Sequence, residues 1–289
     1  IMYVWVDALT NYITAAGYPD EEGETFRAFW PALHMVGKDI LRFHAVYWPA
    51  FLMAAGLEPP KRVYAHGWWT NEGQKISKSL GNVIVPGELV EKYGLVAVRY
   101  FLLREVPFGQ DGDFSHQSMV RRMNTDLAND LGNLAQRSLS MVQKNCGAAV
   151  PAPGPLTEAD EALLREAAAL LPLLRRELEQ QSFHRALESV WRIVGEANRY
   201  IDAQAPWTLR KTDPERMQTV LYVLIETVRR LALLLQPFMP QSMERMLDQL
   251  AVPAEARGFD RLEQALAAGT PLPAPQGVFP RFVEPEAAA

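Results

Sequence analysis

The sequence predicts an α/β fold followed by an all-helical domain. Two observations carry this. Up to about residue 110, short apolar runs alternate with helical patterns, as expected when helices cover a sheet. From about Ser115 onward only helical periodicity remains, apart from a proline-rich end.

In order, Tyr3–Val6 is β-rich and reads as a core strand entered in mid-fold, preceded by the apolar Ile1 and Met2. That start has no basic region and no cleavage site, so it does not resemble a signal peptide, and the chain reads as part of a longer protein. Ala8–Ala16 is a short helix, and the segment around Pro19–Gly23 is a turn-rich loop. Leu33–Val36 is a second strand ending at Gly37. Asp39 then caps a helix to about Ala55, kinked at Pro49. Lys61–Trp69 is a third strand and Thr70–Gln74 a turn or flexible loop. Pro86–Tyr93 and Leu95–Glu105 are helices split by Gly94.

Beyond Ser115, Val120, Met123, Leu127, Leu131 and Leu134 recur at three- and four-residue steps and form one apolar stripe. Pro151–Pro155 breaks the chain. Thr157 starts an Ala/Leu-rich helix to about Gln180, Ser182–Gln204 is another, and Asp213-Pro214 opens a helix to about Gln236. A last helix covers about Gln241–Leu250. The tail, with Pro271, Pro273, Pro275, Pro280 and Pro285, is extended and packs through Phe279 and Phe282.

With 289 residues, 48% hydrophobic and 22% charged, the chain has material for about two domains. No apolar run is long enough to span a bilayer, so no membrane association is expected. The lone Cys146 excludes an internal disulfide framework and a cysteine cluster for zinc, and fits a cytoplasmic location. A net charge of −5 argues against a general nucleic-acid coating, so RNA binding has to use local patches and shape.

The run Lys75-Ile-Ser-Lys-Ser79, with Gly73 before it and Gly81 after, suits a flexible loop that closes on phosphates. When ATP activates a carboxylate, negative charge grows on the α-phosphate and the departing pyrophosphate. Lys75 and Lys78 delivered at that stage stabilise the transition state more than the ground state, with Ser77 and Ser79 as loop donors. A bare pair of lysines in such a spacing is more often a solvated turn. The string Lys75 to Ile84, however, resembles the Lys-Met-Ser-Lys-Ser signature of class I aminoacyl-tRNA synthetases, with Ile76 in place of Met. The fold this implies is the second half of a Rossmann-like catalytic domain, a connecting segment and an anticodon-binding helical bundle.

Ile40, His44 and Trp48 fall at i, i+4 and i+8, one face of a helix. With Trp5 and Tyr12 opposite, that face lines a compact apolar pocket suited to an unbranched thioether, or it is a core face with a satisfied histidine. Tyr3-Val-Trp-Val-Asp-Ala8 with Tyr12, Gly37-Lys-Asp-Ile40 with Phe43-His44, and His66-Gly67 resemble segments of methionyl-tRNA synthetases. The resemblance implies methionine contacts at Trp5, Ala8, Tyr12, Ile40 and His44; Leu9 departs from the usual proline. For ATP, taken as its Mg2+ complex, it implies contacts at Lys75, Ser77, Lys78, Gly37, Asp39 and His66, where Asp39 accepts from ribose hydroxyls.

Asn129, Asn133 and Arg137 form a polar line opposite the apolar stripe, and Trp207 follows Pro206 at a helix junction. Amide and guanidinium groups read unstacked bases, and aromatic planes stack on them. Each feature alone is more often a solvated face or a packing wedge. Both resemble the anticodon-binding bundle of the same family, which implies that Asn133, Arg137 and Trp207 meet the anticodon of tRNA(Met). Arg121-Arg122 can add phosphate contacts or lie on the surface, and Arg175-Arg176 and Arg229-Arg230 read as surface and packing charges.

The division expected is residues 1–84 as the second half of the catalytic domain, 85–114 as the connecting segment, 115–265 as the helical domain and 266–289 as the tail. The upstream His-Ile-Gly-His-type ATP motif and any zinc-bearing insertion are not in the sequence, and no metal site is expected in this portion. The chain alone is therefore expected to be inactive in methionine-dependent ATP–pyrophosphate exchange, and to be a monomer. Two alternatives remain: another class I synthetase, for Leu, Ile, Val or Cys, and a non-catalytic tRNA-binding paralogue. A dinucleotide enzyme is disfavoured because no G-x-G-x-x-G follows a strand.

Overall fold

A computed structural model describes residues 3–284; Ile1, Met2 and Pro285 lie outside the described residues. The chain forms two compact units, one made of Ile1–Thr70 with Phe108–Asp113 and the other of Asn71–Pro107 with Phe114–Ala289.

The first unit corrects the expected N-terminal strand. Val4–Ala16 is one helix, α1, in spite of its β-rich start. Leu9, Ile13 and Ala16 are buried on one of its sides, and packing of that stripe outweighs the local preference of Val and Trp for strands. Helix α2 (Glu24–Phe29) adds Phe26 to the same core, where Trp30, Trp48, Leu52 and Leu57 meet it. Strand β1 (Leu33–Gly37) pairs in parallel with β2 (Arg62–His66), in a register that sets Gly37 opposite His66. The connection between them is helical from Lys38 to Ala54 but of mixed type. A 3-10 turn at Lys38–Ile40 is followed by a π segment at Phe43–Tyr47 and by helix α3 (Trp48–Ala54). Asp39 does not cap this run; Gly37 holds the cap position and makes no side-chain cap bond. Pro49 sits in the first turn of α3, where its missing N–H ends the wider spacing before it.

The strand expected over Lys61–Trp69 stops at His66. A Cβ on Gly67 would lie 2.1 Å from the carbonyl oxygen of Gln110, so backbone replaces side chain there. The chain resumes as β3 (Trp69–Asn71), turns through Glu72 and Gly73, both at positive φ, and returns as β4 (Gln74–Lys75). Together with β5 (Gly112–Phe114) these form a three-stranded sheet of order β4-β3-β5.

In the second unit α4 (Pro86–Tyr93) and α5 (Leu95–Arg104) flank Gly94 as expected. Helix α6 (His116–Arg121), a π segment (Arg122–Gly132) and α7 (Asn133–Asn145) make one continuous run. Its buried stripe is Met119, Met123, Leu127, Leu131 and Leu134, with Val120 half-buried. Thr157 and Asp160 form a capping box at the start of α8 (Glu158–Ala168). The expected single helix breaks at Ala169, because Pro172 cannot donate within α9 (Leu170–Glu179). Helices α10 (Phe183–Gln204), α11 (Pro206–Thr212), α12 (Pro214–Leu235) and α13 (Pro240–Gln249) complete the bundle. The extended tail is fastened at Phe282, whose backbone N–H and C=O pair with the Asn124 amide at 2.8 and 3.2 Å.

Arg229 and Arg230 are not surface charges. Both are buried in α12 around the carboxylate of Glu226, at 2.6 and 2.9 Å. Arg122 is likewise committed, to Glu105 at 2.6 Å and Asp126 at 3.0 Å, which removes it as a phosphate contact.

The fully buried carboxylate of Asp160 ties α8 to α12 through Arg216. Burial works against its charge, but hydrogen bonds from Arg216, Tyr200 and Thr157 outweigh that and lower the carboxyl from 3.8 to about 2. A carboxyl depressed in the folded state contributes stability that is complete above the unfolded value and lost as pH falls through the folded one. The urea midpoint should therefore drop between about pH 4 and about pH 2, and Asp160→Asn should start lower and lose that part of the pH dependence.

Candidate functional site

The candidate residues fall into four groups. Helix α1 turns Trp5, Ala8 and Tyr12 to one side, at i, i+3 and i+7, which a strand at Tyr3–Val6 could not have done. They face the mixed helix after β1. Trp5 stacks on Phe43 with ring centres 3.9 Å apart and planes inclined by 10°, and its edge meets His44 at 6.3 Å. The Tyr12 hydroxyl lies 2.9 Å from His44 Nε2, and His44 Nδ1 lies 3.0 Å from the carbonyl oxygen of Ile40. A carbonyl can only accept, so Nδ1 carries the proton and, in the neutral ring, Nε2 accepts from Tyr12.

Beneath this layer is a residue the sequence reading passed over. His34, inward-facing on β1 and buried, accepts the indole N–H of Trp48 at 3.1 Å and stacks obliquely on Tyr12 at 4.4 Å. Burial and the neighbouring His44 lower its pKa, which keeps the imidazole neutral. Its burial beside Val36, with the apolar Met35 exposed between them, leaves no polar–apolar alternation in the sequence that would have marked it.

A second group occupies the C-terminal ends of β1 and β2, the edge at which open α/β sheets bind ligands. A Cβ on Gly37 would meet Asp39 Oδ1 at 2.5 Å and His66 Cε1 at 3.8 Å, so the three candidates are immediate neighbours. His66 donates from Nδ1 to the carbonyl of Gly67 at 2.9 Å. Lys38 beside them is held by Asp111 at 2.6 Å and lies 4.3 Å from the ring centre of Trp68. The hydrogen bond from Lys38 lowers the Asp111 pKa, assisted by one from the backbone of Trp68.

The lysine loop belongs to the second unit. Lys75 ends β4, and Lys78 opens a 3-10 turn that closes on Gly81 at φ +65°. Ser77 Oγ accepts from the Leu80 N–H at 3.3 Å and shares a hydrogen bond with Ser79 at 2.6 Å. The loop is organised by Asn82, which the sequence reading did not single out. Its side chain accepts from the Ser77 N–H at 2.9 Å and donates to the carbonyl of Lys75 at 3.0 Å. Asn71 in turn donates to the Asn82 carbonyl at 2.9 Å. Both lysines are exposed, and neither has an ion-pair partner among the described residues.

On the bundle, the Arg137 guanidinium lies 5.4 Å from the ring centre of Trp207, which is 43% exposed. Arg137 also pairs with Asp202 at 2.7 Å, an acid missing from the sequence reading. Asn133, one turn earlier on α7, is exposed. Asn129 is taken by Arg281 of the tail.

Comparison with known proteins bears on the fold and the family. The family "tRNA synthetases class I (M)" matches residues 1–139 and the family "Anticodon binding domain of methionyl tRNA ligase" matches residues 150–289. The methionine–tRNA ligases of Brucella suis and Mesorhizobium japonicum are 63% and 61% identical over 286 residues, 98% of this chain and 55% of theirs. Apo methionyl-tRNA synthetase of Mycobacterium tuberculosis superposes with a TM-score of 0.92 at 54% identity, covering 99% of this chain and 57% of that one. The same enzyme bound to methionyl-adenylate gives 0.93 at 56% identity, covering 97% and 56%. The fold is therefore that of the class I aminoacyl-tRNA synthetases. Within that class, the chain belongs to the methionyl-tRNA synthetase family. It spans about 55% of the length of the curated relatives it matches.

Replacing Asn82 by alanine should speed amide hydrogen exchange at Ser77 about tenfold, the equivalent of one net hydrogen bond, without a change in global stability. An unchanged Ser77 rate would show that the loop is held by something else.

Proposed function

We propose that this chain serves, as the C-terminal part of a longer protein, in a methionine–tRNA ligase, which activates methionine with ATP to methionyl-adenylate and transfers it to tRNA(Met). The observation that carries the reading is the convergence of Trp5, Tyr12, Ile40 and His44, from two separate segments, in one aromatic cluster. Trp5, Ala8, Tyr12, Ile40 and His44 take the methionine side chain. ATP enters as its magnesium complex, a substrate, against Gly37, Asp39 and His66. Lys75, Ser77 and Lys78 close on its phosphates, and the lysine charges act on the pyrophosphate as it departs. Asn133, Arg137 and Trp207 receive the anticodon.

In this reading residues 1–84 complete the catalytic domain, 85–114 connect it, 115–265 read the tRNA and 266–289 return along the bundle. The enzyme works in the cytosol as a monomer. The chain alone does not catalyse ATP–pyrophosphate exchange, because the ATP motif expected upstream is not in its sequence.

The two activities are separable. Trp207→Ala in this chain should weaken tRNA(Met) binding about 5- to 150-fold, the range for loss of one stacked base, measured by filter retention. An unchanged affinity would remove the anticodon assignment. In a full-length protein containing these residues, Lys78→Ala should lower the rate of methionine-dependent ATP–pyrophosphate exchange roughly 100- to 1000-fold and leave tRNA affinity intact. A protein sensitive to the first substitution but with no exchange activity to lose would be a tRNA-binding paralogue.

A further inference from the structure

The indole of Trp207 is presented by a corner in the chain that its own residues do not favour. Helix α10 ends at Gln204, and Ala205 follows at φ +44° and ψ +60°, a left-handed conformation that a residue with a Cβ avoids. Pro206 is buried as the first residue of α11, and Trp207 comes next. A conformation of this kind persists only where its surroundings hold it.

Beside the backbone bonds of the corner itself, those surroundings include one guanidinium. Arg216, in the first turn of α12, extends a fork to Asp160, with Nη1 2.5 Å from Oδ2 and Nη2 2.8 Å from Oδ1. The same Nη2 donates to the side-chain oxygen of Gln204 at 2.8 Å. Asp160 is held in turn by the Tyr200 hydroxyl at 2.5 Å and by the Thr157 N–H at 2.8 Å. Three helix ends thus meet at Arg216: the start of α8, the start of α12 and the end of α10. The fork on Asp160 already joins α8 to α12 without help from Gln204. What Gln204 adds is a connection from that fixed, buried ion pair to the last residue before the strained corner.

We propose that Gln204, gripped by Arg216, is a positioning residue for tRNA recognition: it holds the Ala205 corner so that the Trp207 ring is presented under Arg137 before the RNA arrives. The inference rests on the reading that Trp207 stacks on an anticodon base. Preorganisation of this kind strengthens binding by sparing the complex the ordering of the corner. A carboxylate at position 204 would still accept from Arg216, whereas a methyl group would not.

Two measurements test this on the chain as it stands. The first needs no RNA. The Thr208 and Leu209 amides donate to the carbonyl of Ala205, at 2.8 and 3.2 Å, and report on the corner directly. Gln204→Ala should raise their hydrogen-exchange rates about tenfold while the thermal midpoint stays put, and Gln204→Glu should restore slow exchange. Unchanged rates in Gln204→Ala would overturn the proposal. The second is a double-mutant cycle on tRNA(Met) affinity with Trp207→Ala. Gln204→Ala should raise Kd about tenfold in the native background and less than twofold when Trp207 is absent. Equal effects in both backgrounds would mean that Gln204 acts elsewhere, and would overturn the positioning role with the anticodon reading intact. If Trp207→Ala itself leaves Kd unchanged, the anticodon reading falls and takes the tRNA role of Gln204 with it, whatever the exchange rates show.

Discussion

The helical unit depends on the ion pairs carried by α12. This helix packs against α7, α8, α10, α11 and α13, and from Thr219 to Leu235 only Tyr222 escapes full burial. A helix so enclosed is ordinarily apolar all round, yet it brings Glu226, Arg229 and Arg230 into the interior. Taking such charges out of water costs several kcal/mol each, and the structure tolerates it because every one is met. Glu226 accepts from both arginines and from the Leu266 N–H at 3.1 Å. Arg229 continues to the carbonyl of Leu262 at 2.7 Å, and Arg230 to that of Leu164 at 2.9 Å. Apolar packing permits a helix to slide or rotate by small amounts, whereas these bonds do not. They fix α8 and the segment after α13 against α12 in one register.

Arg216 applies the same logic one end of the helix further on, where the partner elements are the start of α8 and the end of α10. The Arg216 cluster sits where helices end, and Trp207 lies just beyond one such end, that of α10. Arg137 and Trp207 come from different helices and meet only because α7, α10 and α11 are held in relation to one another. Recognition by a few side chains needs that rigidity, since each ordering step left for the complex subtracts from affinity.

Much of this was legible in the sequence, for reasons that can be stated. The change from alternating elements to helix alone survived intact, because it rests on hydrophobic period over long windows. The lysine loop was readable because its residues are contiguous. What failed were places where local preference and tertiary packing disagree. Tyr3–Val6 has strand propensity but becomes helix because Leu9 and Ile13 need a core. Lys38–Ala54 has one amphipathic pattern but three hydrogen-bonding schemes, and no pattern of apolar residues announces a π segment. Arg229-Arg230 reads only as a surface or packing charge because charge is usually outside, and its partner Glu226 is uninformative until the helix around it is seen to be buried. His34, Asn82, Asp202 and Gln204 went unread for a common reason. Each acts on another candidate residue, and such second-layer partners leave no motif of their own.

The aromatic pocket shows why those partners matter for chemistry as well as for shape. The carbonyl of Ile40 fixes the proton of His44 on Nδ1, and Nε2 then accepts a hydrogen bond from the Tyr12 hydroxyl. The Trp48 N–H is likewise spent on His34. The polar groups of Tyr12, His44, His34 and Trp48 are thus paired with one another or with the backbone. Groups in that condition offer no free donor to a polar side chain, and a polar guest set between them would have to lose its water without compensation. An unbranched apolar side chain loses nothing of the kind. Beside the Trp5–Phe43 stack, a polarisable sulfur would do better than a methylene. In the proposed reading, a leaning toward a thioether over polar side chains of similar length rests on hydrogen bonds the protein makes to itself, the kind of internal pairing that also fixes the helices.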